Sequence, residues 1–364
     1  MKVRGLFDHF EEYGWETPSR EIAARVGLPV GQIVRLDTNA SPFRPSGALA
    51  DLARAAEGLK VNQYPDTSYL DLREALSRYT GKGVERFVVT NGADEGLDIA
   101  TKVLLDPGDE VVVPTPTYSM YRIAATIMGA RVVSVERRPD FGLDVERMLA
   151  AVGPRTRAIF LCNPNNPTGN LSPIEEVERL AGSGVAVVVD EAYFEYCGRS
   201  AIDLTDRLEN VVVCRTLSKA FSMAGVRVGY LVAKDETTKV LNAVRPPNSL
   251  SVISLFLAQA ALTDHREEMR RDVEATVGER GRLLRSLAEI EGVRTHPSET
   301  NFVLFSVPEA EAVHSRLMSK GLVLRNLSRN RGTEGCLRAT VATPEVNERL
   351  VAGLRDAVAP GQKR

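Results

Sequence analysis

Six short apolar runs rich in β-branched residues recur through the middle of this chain, and their spacing limits the open folds more than any other feature. They are Arg86–Thr90, Glu110–Pro114, Arg131–Val135, Ala158–Cys162, Val185–Val189 and Val211–Cys214. Each has strand length. Between most of them lie stretches with apolar residues at helical spacing, such as Glu95–Leu105, Tyr118–Met128 and Pro173–Ala181. Strands alternating with helices need crossover connections, so the pattern predicts a mainly parallel sheet covered on both faces. The expected fold class is α/β, with a three-layer α/β/α large domain over residues 36–248. After Asn248 the texture changes: Ser254–Leu262 is apolar, Arg266–Leu287 is highly charged with apolar residues at helical spacing, and Phe302–Phe305 reads as a short strand. A smaller α+β domain is expected there. The N-terminal arm, residues 1–35, is too short for a domain of its own and is expected to join residues 249–364 in the smaller one or to pack on a partner subunit.

Charge and cysteine content narrow the functions. Lys and Arg total 46 against 48 Asp and Glu, a formal net charge of −2, so no global field would hold nucleic acid or an anionic membrane. Any anionic ligand must be met by local charges. Cys162, Cys197, Cys214 and Cys336 are scattered without a C-x-x-C pair, which reads as free thiols in a reducing cytoplasm. The start carries no apolar run of the secretory kind, and no run approaches a membrane span, so a cytoplasmic protein is expected. His9, His265, His296 and His314 stand far apart without ligand spacing, and no metal site is expected.

In an open α/β sheet, ligands gather beyond the carboxyl ends of the strands. Four polar motifs fall there. Thr90-Asn-Gly-Ala-Asp-Glu95 joins a strand to a helix; Asn91-Gly92 is a turn pair, and the free N–H groups opening the helix suit a phosphate. By themselves Asp94 and Glu95 are equally well read as first-turn acids favoured by the helix dipole. Cys162-Asn-Pro-Asn-Asn-Pro-Thr-Gly169 fixes a sharp loop with two prolines and a glycine and presents Asn166 as a rigid donor. Asp190, in Asp190-Glu-Ala-Tyr193, leaves a fully apolar strand, where a carboxylate is costly without a cationic partner; a helix cap or a structural ion pair is the bland alternative. Thr216-Leu-Ser-Lys-Ala220 carries Lys219 among small and apolar residues, surroundings that disfavour an ammonium and free the amine as a nucleophile. Arg227, eight residues on, adds charge beside the Thr216 and Ser218 hydroxyls for a phosphate.

The order N-G-A-D-E, P-T-Y, N-N-P-T-G, D-E-A-Y and T-L-S-K-A-F…G-x-R resembles the fold-type I pyridoxal-phosphate (PLP) enzymes of the aspartate aminotransferase superfamily over about residues 35–345. The resemblance implies that Lys219 holds the cofactor as a Schiff base and shuttles a proton between the substrate Cα and the cofactor. It implies that Asp190 pairs with the ring nitrogen and keeps it protonated, so that the ring is an electron sink. By the same resemblance Asn166 and Tyr193 bond the cofactor 3′-oxygen and Tyr118 stacks on its ring. Backbone at Gly92, Ala93 and Asp94, with Thr216, Ser218 and Arg227, would cradle the phosphate. Tyr64 resembles the tyrosine that such enzymes lend to the neighbouring subunit's phosphate site, which implies a homodimer. Arg338, in Gly335-Cys-Leu-Arg338, resembles the arginine that grips the substrate carboxylate with a bidentate fork.

Within the superfamily, Leu36-Asp-Thr-Asn-Ala-Ser-Pro42, Tyr64-Pro-Asp66 and Leu324-Arg-Asn-Leu327 resemble the histidinol-phosphate aminotransferases, which exchange an amino group between histidinol phosphate and 2-oxoglutarate in histidine biosynthesis. By that resemblance Arg325 contacts the substrate phosphate or the distal carboxylate of glutamate, and Asn39 lines the substrate pocket. Two departures touch substrate recognition. Asn39-Ala-Ser-Pro42 stands where the family commonly reads N-E-N-P, and Pro18 precedes Ser19 where the family often has tyrosine, with Tyr13 and Trp15 as candidate substitutes. Three rivals stay open at the level of sequence. One is a related PLP enzyme, such as a phosphothreonine-type decarboxylase or a transaminase of aromatic or specialised-pathway amino acids, because the outcome depends on substrate pose. Another is a non-catalytic PLP-binding sensor, which the short N-terminal arm and the presence of Lys219, Asp190 and Arg338 argue against. The third, a dinucleotide enzyme, lacks the G-x-G-x-x-G turn after the first strand.

Overall fold

The computed structural model describes residues 3–10 and 12–358; residues 1, 2, 11 and 359–364, the extremes of the expected smaller domain and one position in its arm, lie outside the described residues. The expected three-layer α/β/α arrangement with a mainly parallel sheet is present. Seven strands lie in the order Phe87–Thr90, Gly229–Val232, Val211–Thr216, Ala186–Asp190, Thr156–Cys162, Glu110–Thr115 and Arg131–Glu136. Gly229–Val232 runs antiparallel to both its neighbours, and the other pairings are parallel.

Side-chain alternation makes this sheet the middle layer. Val187 and Val189 enter one apolar cluster with Leu72, Leu76, Val177 and Leu180, whereas Val188 enters another with Leu97, Ile99, Tyr121 and Leu241. Both faces are therefore dry, which is why the strands read as continuous apolar runs. Each fully buried valine is worth about 1.5–3 kcal/mol against exposure. The Val252–Thr263 helix, which follows the expected boundary at residue 248, packs Leu257, Ala258 and Leu262 into the first of these clusters.

A second sheet has the order Val34–Leu36, Leu322–Asn326, Cys336–Thr340, Phe302–Ser306 and Arg294–Thr295. Its first pair is parallel and the rest antiparallel. Leu36, Val303, Phe305, Leu324 and Leu337 meet Leu283 and Leu287 of the Arg266–Ala288 helix and Leu350 and Leu354 of the Pro344–Val358 helix in a separate core. The long Arg266–Ala288 helix has Glu267 and Glu268 in its first turn and Arg285 in its last, matching the helix dipole. The end of the N-terminal arm, Val34 and Arg35, joins this sheet together with Leu36, the residue at which the expected large domain begins.

Candidate active site

Six of the seven strands of the larger sheet end on one edge, and four of those carboxyl ends carry the polar motifs there. A cavity of about 820 Å3 opens at this edge. It is lined by Asn39, Ala93, Asp94, Tyr118, Asn166, Asp190, Tyr193, Thr216, Ser218, Lys219, Arg227, Arg325 and Arg338. Of the residues singled out in the sequence, Gly92 sits just behind this lining and Tyr64, 84% exposed, lies outside it.

Lys219 follows the Val211–Thr216 strand. Its Nζ donates to the Thr38 carbonyl at 3.3 Å and stands 5.9 Å from the centre of the Tyr193 ring. Burial, reinforced by the nearby Arg338 charge, lowers its pKa to about 8. Asp190, 3% exposed, ends the neighbouring strand. One of its oxygens accepts from Ala192 N–H at 3.0 Å and the other from the Tyr121 hydroxyl at 2.7 Å. Burial outweighs these bonds and raises its pKa to about 6. The next residue, Glu191, is held by a buried ion pair to Arg215 at 2.9 Å and accepts from Ser200 Oγ and the Ala201 N–H. Breaking such a pair costs about 3–5 kcal/mol, so the turn carrying Asp190 is anchored from below.

The first motif opens the Gly92–Leu104 helix, whose N-terminus has no side-chain cap. Asn91 instead turns its amide to the Ser249 carbonyl, and Glu95 accepts from the Asn91 N–H. The first-turn N–H groups therefore stay open to an anion, with Arg227 beside them. Arg227 reaches Ser218 Oγ at 3.4 Å and Asp94 at 3.3 Å, and Ser218 Oγ accepts from Thr216 Oγ1 at 2.9 Å. Two glycines permit this crowding. Gly92 has φ +77°, and a Cβ there would lie 2.4 Å from Arg227 Nη2; a Cβ on Gly229 would lie 2.6 Å from the Gly92 backbone carbon. Arg227 and Asn39 themselves have φ of 58° and 55°, a left-handed conformation that non-glycine residues adopt at a cost and that concentrates at functional sites.

The asparagine-rich loop divides its labour. Asn163 closes on Ser172 and Asn165 on Thr117, Pro116 and Thr168, which leaves Asn166 to face the cavity. Asn166 Oδ1 accepts from Arg338 Nη1 at 2.5 Å, and Arg338 Nη2 donates to the Asp37 carbonyl at 2.6 Å. Arg338 is 7% exposed, its Nε has no partner, and no carboxylate among the described residues pairs with it. Burial holds its pKa below the usual arginine value. A buried cation without a counter-ion is costly, and an incoming carboxylate would offset that cost. Asn39 donates its amide to the Tyr193 hydroxyl at 3.0 Å.

Arg325 lies directly opposite Arg338 on the adjacent strand. It is tied to the N-terminal arm through Glu16 at 3.4 Å and the Gly14 carbonyl at 3.2 Å, with its guanidinium 5.9 Å from the Tyr13 ring centre. Of the two candidate aromatic substitutes, Tyr13 lines the cavity and Trp15 is 79% exposed. Sequence reading missed Glu16 and Tyr121. No local pattern in the sequence marks either one, because the partners, Asp190 for Tyr121 and Arg325 for Glu16, lie far along the chain. Tyr118 itself donates to Asp94 at 3.0 Å.

Residues 31–354 match the family described as aminotransferase class I and II. The histidinol-phosphate aminotransferase of Caldanaerobacter subterraneus subsp. tengcongensis is 38% identical over 325 residues, 88% of this chain and 92% of its own. That of Methanosarcina mazei is 39% identical over 352 residues, covering 95% of this chain and 94% of its own. The solved structure of histidinol-phosphate aminotransferase from Sinorhizobium meliloti in complex with pyridoxal-5′-phosphate is similar at a TM-score of 0.87 and 28% identity, covering 98% of this chain and 97% of that one.

Proposed function

We propose, for a chain that belongs to the aminotransferase class I and II family and is a PLP-dependent transaminase, that its substrates are histidinol phosphate and 2-oxoglutarate, placing it in histidine biosynthesis. The observation that carries the reading is one cavity uniting a half-buried amine of lowered pKa, a buried carboxylate and an uncompensated guanidinium. Support for the particular substrate comes from the relatives, 38% and 39% identical over most of their length.

The residues present fit the cofactor. The uncapped helix start at Gly92, with Arg227, Ser218 and Thr216, offers donors and positive charge suited to a phosphate ester. Asp190 offers a buried anion suited to a cationic ring nitrogen. When bound, PLP supplies an electron sink for the pair left by cleavage of a substrate Cα–H bond. Lys219 Nζ would hold the cofactor and is placed to take the proton from a substrate Cα; its lowered pKa leaves a sizeable minority of the amine as free base near neutral pH. Asn166 and Tyr193 would hold the edge of the cofactor ring, and Asn39 orients the Tyr193 hydroxyl by donating to it. Tyr118, which lines the cavity, would lie against the cofactor ring. Arg338 receives the α-carboxylate of glutamate in a bidentate fork, and Arg325 receives the distal carboxylate or the phosphate of the other substrate. Such an anion competes with Glu16 for Arg325.

The working unit in this proposal is a cytoplasmic homodimer in which Tyr64 completes the phosphate site of the neighbouring subunit. Exposed Tyr64, beside exposed Val61 and outside its own cavity, supports that arrangement. The four cysteines are free thiols, in keeping with a reducing compartment. Among the described residues, no helix is long and apolar enough to cross a membrane.

A spectral screen of half-reactions tests the assignment. Histidinol phosphate and glutamate are expected to bleach the visible band of the purified yellow enzyme, while phenylalanine and phosphothreonine leave it standing. If histidinol phosphate fails while another donor bleaches the band quickly, the proposed substrate is wrong.

A further inference from the structure

We propose that Tyr121 is a positioning residue for the transamination site: its hydroxyl orients the Asp190 carboxylate and holds it in the anionic form that the cofactor ring nitrogen requires. The proposal rests on the reading above that PLP occupies the cavity. Tyr121 lies on the Met120–Ile127 helix and is fully enclosed at 0% exposure. A phenol hydroxyl at such depth is costly unless bonded, and phenylalanine would fill the same space without that cost. The hydroxyl donates to Asp190 Oδ2 at 2.7 Å. Its ring is fixed by near-parallel stacking on Phe160, 5.7 Å between centres and 18° between planes, and by an edge contact with Tyr118 at 5.7 Å. With Ala192 N–H on Oδ1, the two bonds pin the carboxylate at both ends.

The surroundings show why the donor matters. Cys162 and Cys214 flank Asp190 in register on the two neighbouring strands. Burial pushes the Cys162 thiol up to about 12 and the Cys214 thiol well above its usual value, so both are neutral and offer no counter-charge. Burial also keeps the Tyr121 phenol protonated, and Tyr193 likewise. The carboxylates of Asp94 and Glu191 disfavour the Asp190 anion. Glu191 is bound to Arg215, and Asp94 is engaged by Arg227 and Tyr118. Lys219 is the nearby amine, itself disfavoured as a cation by burial. Against burial, the bonds that favour ionised Asp190 come from Tyr121 and Ala192. Removing the Tyr121 hydroxyl leaves a single donor, raises the Asp190 pKa further and frees the carboxylate to rotate.

The test is Tyr121→Phe, alone and in an Asp190→Asn background, with PLP affinity of the apoprotein measured by equilibrium dialysis across pH. A hydrogen bond to a charged group predicts about tenfold or greater weakening in the wild-type background. The acid fall in affinity, which follows protonation of Asp190, should move to higher pH. In the Asp190→Asn background the same substitution should change affinity by less than about twofold, because the hydroxyl acts through the carboxylate. Unchanged affinity and pH profile in Tyr121→Phe, or equal losses in both backgrounds, overturn the proposal. 3-Fluorotyrosine at position 121, a stronger donor of nearly the same shape, should shift the acid fall to lower pH; no shift also counts against it, and this arm holds even if Tyr121→Phe does not fold. A wild-type protein that binds no PLP would instead overturn the functional reading itself.

Discussion

The lowered pKa of Lys219 makes it chemically distinguishable from every surface lysine. With a pKa of about 8, its amine is free in roughly a quarter of molecules at about pH 7.5, against about one in a thousand for a lysine at the reference 10.5. That is a roughly two-hundredfold larger population of free amine to meet a carbonyl compound, before any gain from binding. The perturbation is a brief exposure of apoprotein to a small neutral aldehyde with borohydride, repeated from about pH 6 to about pH 10, and peptide mass mapping is the assay. A folded-state pKa below the unfolded one means the ammonium is disfavoured in the fold, so labelling of Lys219 should rise steeply through about pH 8. Exposed lysines such as Lys239 should lag until far higher pH. Arg338 is the largest charge contributing to the depression, so Arg338→Met should carry the midpoint upward. A Lys219 midpoint near that of Lys239, or one unmoved by Arg338→Met, would refute the reasoning that burial and the facing guanidinium activate this amine.

Gly92→Ala forces a methyl to within 2.4 Å of Arg227 Nη2 at a positive φ. The positive φ should cost the fold about 1–2 kcal/mol, read as a lower apoprotein Tm, and the displaced Arg227 should weaken the Kd for PLP; an unaltered Kd would count against the phosphate cradle. Tyr64→Ala should weaken PLP retention although Tyr64 touches nothing in its own cavity. Co-refolding Tyr64→Ala with Lys219→Ala subunits should then restore up to about a quarter of native activity, because each mixed dimer has one intact site; no gain on mixing argues against a shared site.

The motifs that line the cavity were legible because each is contiguous and follows directly on a strand. The sequence places Asn91-Gly92, Asn166, Asp190 and Lys219 at strand ends, and a parallel sheet brings strand ends to one edge. Gly229–Val232 was missed as a strand, since it opens on a glycine and a tyrosine and its antiparallel direction has no local signature. Its glycine, set against the Gly92 backbone, acquires meaning only from contact across the sheet. Tyr121 looked like one more apolar residue of an amphipathic helix, and its bond to a residue 69 positions away cannot be read from spacing. Glu16 was hidden for a similar reason: it is a charged residue in an arm without regular structure, and its partner Arg325 lies 309 residues downstream.

Arg325 and Arg338 occupy facing rungs of a single antiparallel ladder. Two cations mounted this way form a rigid caliper, because any tilt of the smaller sheet carries both jaws together and preserves the gap between them. On the proposed function, a change in the length of the anionic partner would be taken up by the groups around the jaws, above all the Glu16 carboxylate that pairs with Arg325. A variant lineage seeking new substrates would find its freedom in that arm and in the turn between the two strands, while the gauge of the caliper stayed constant.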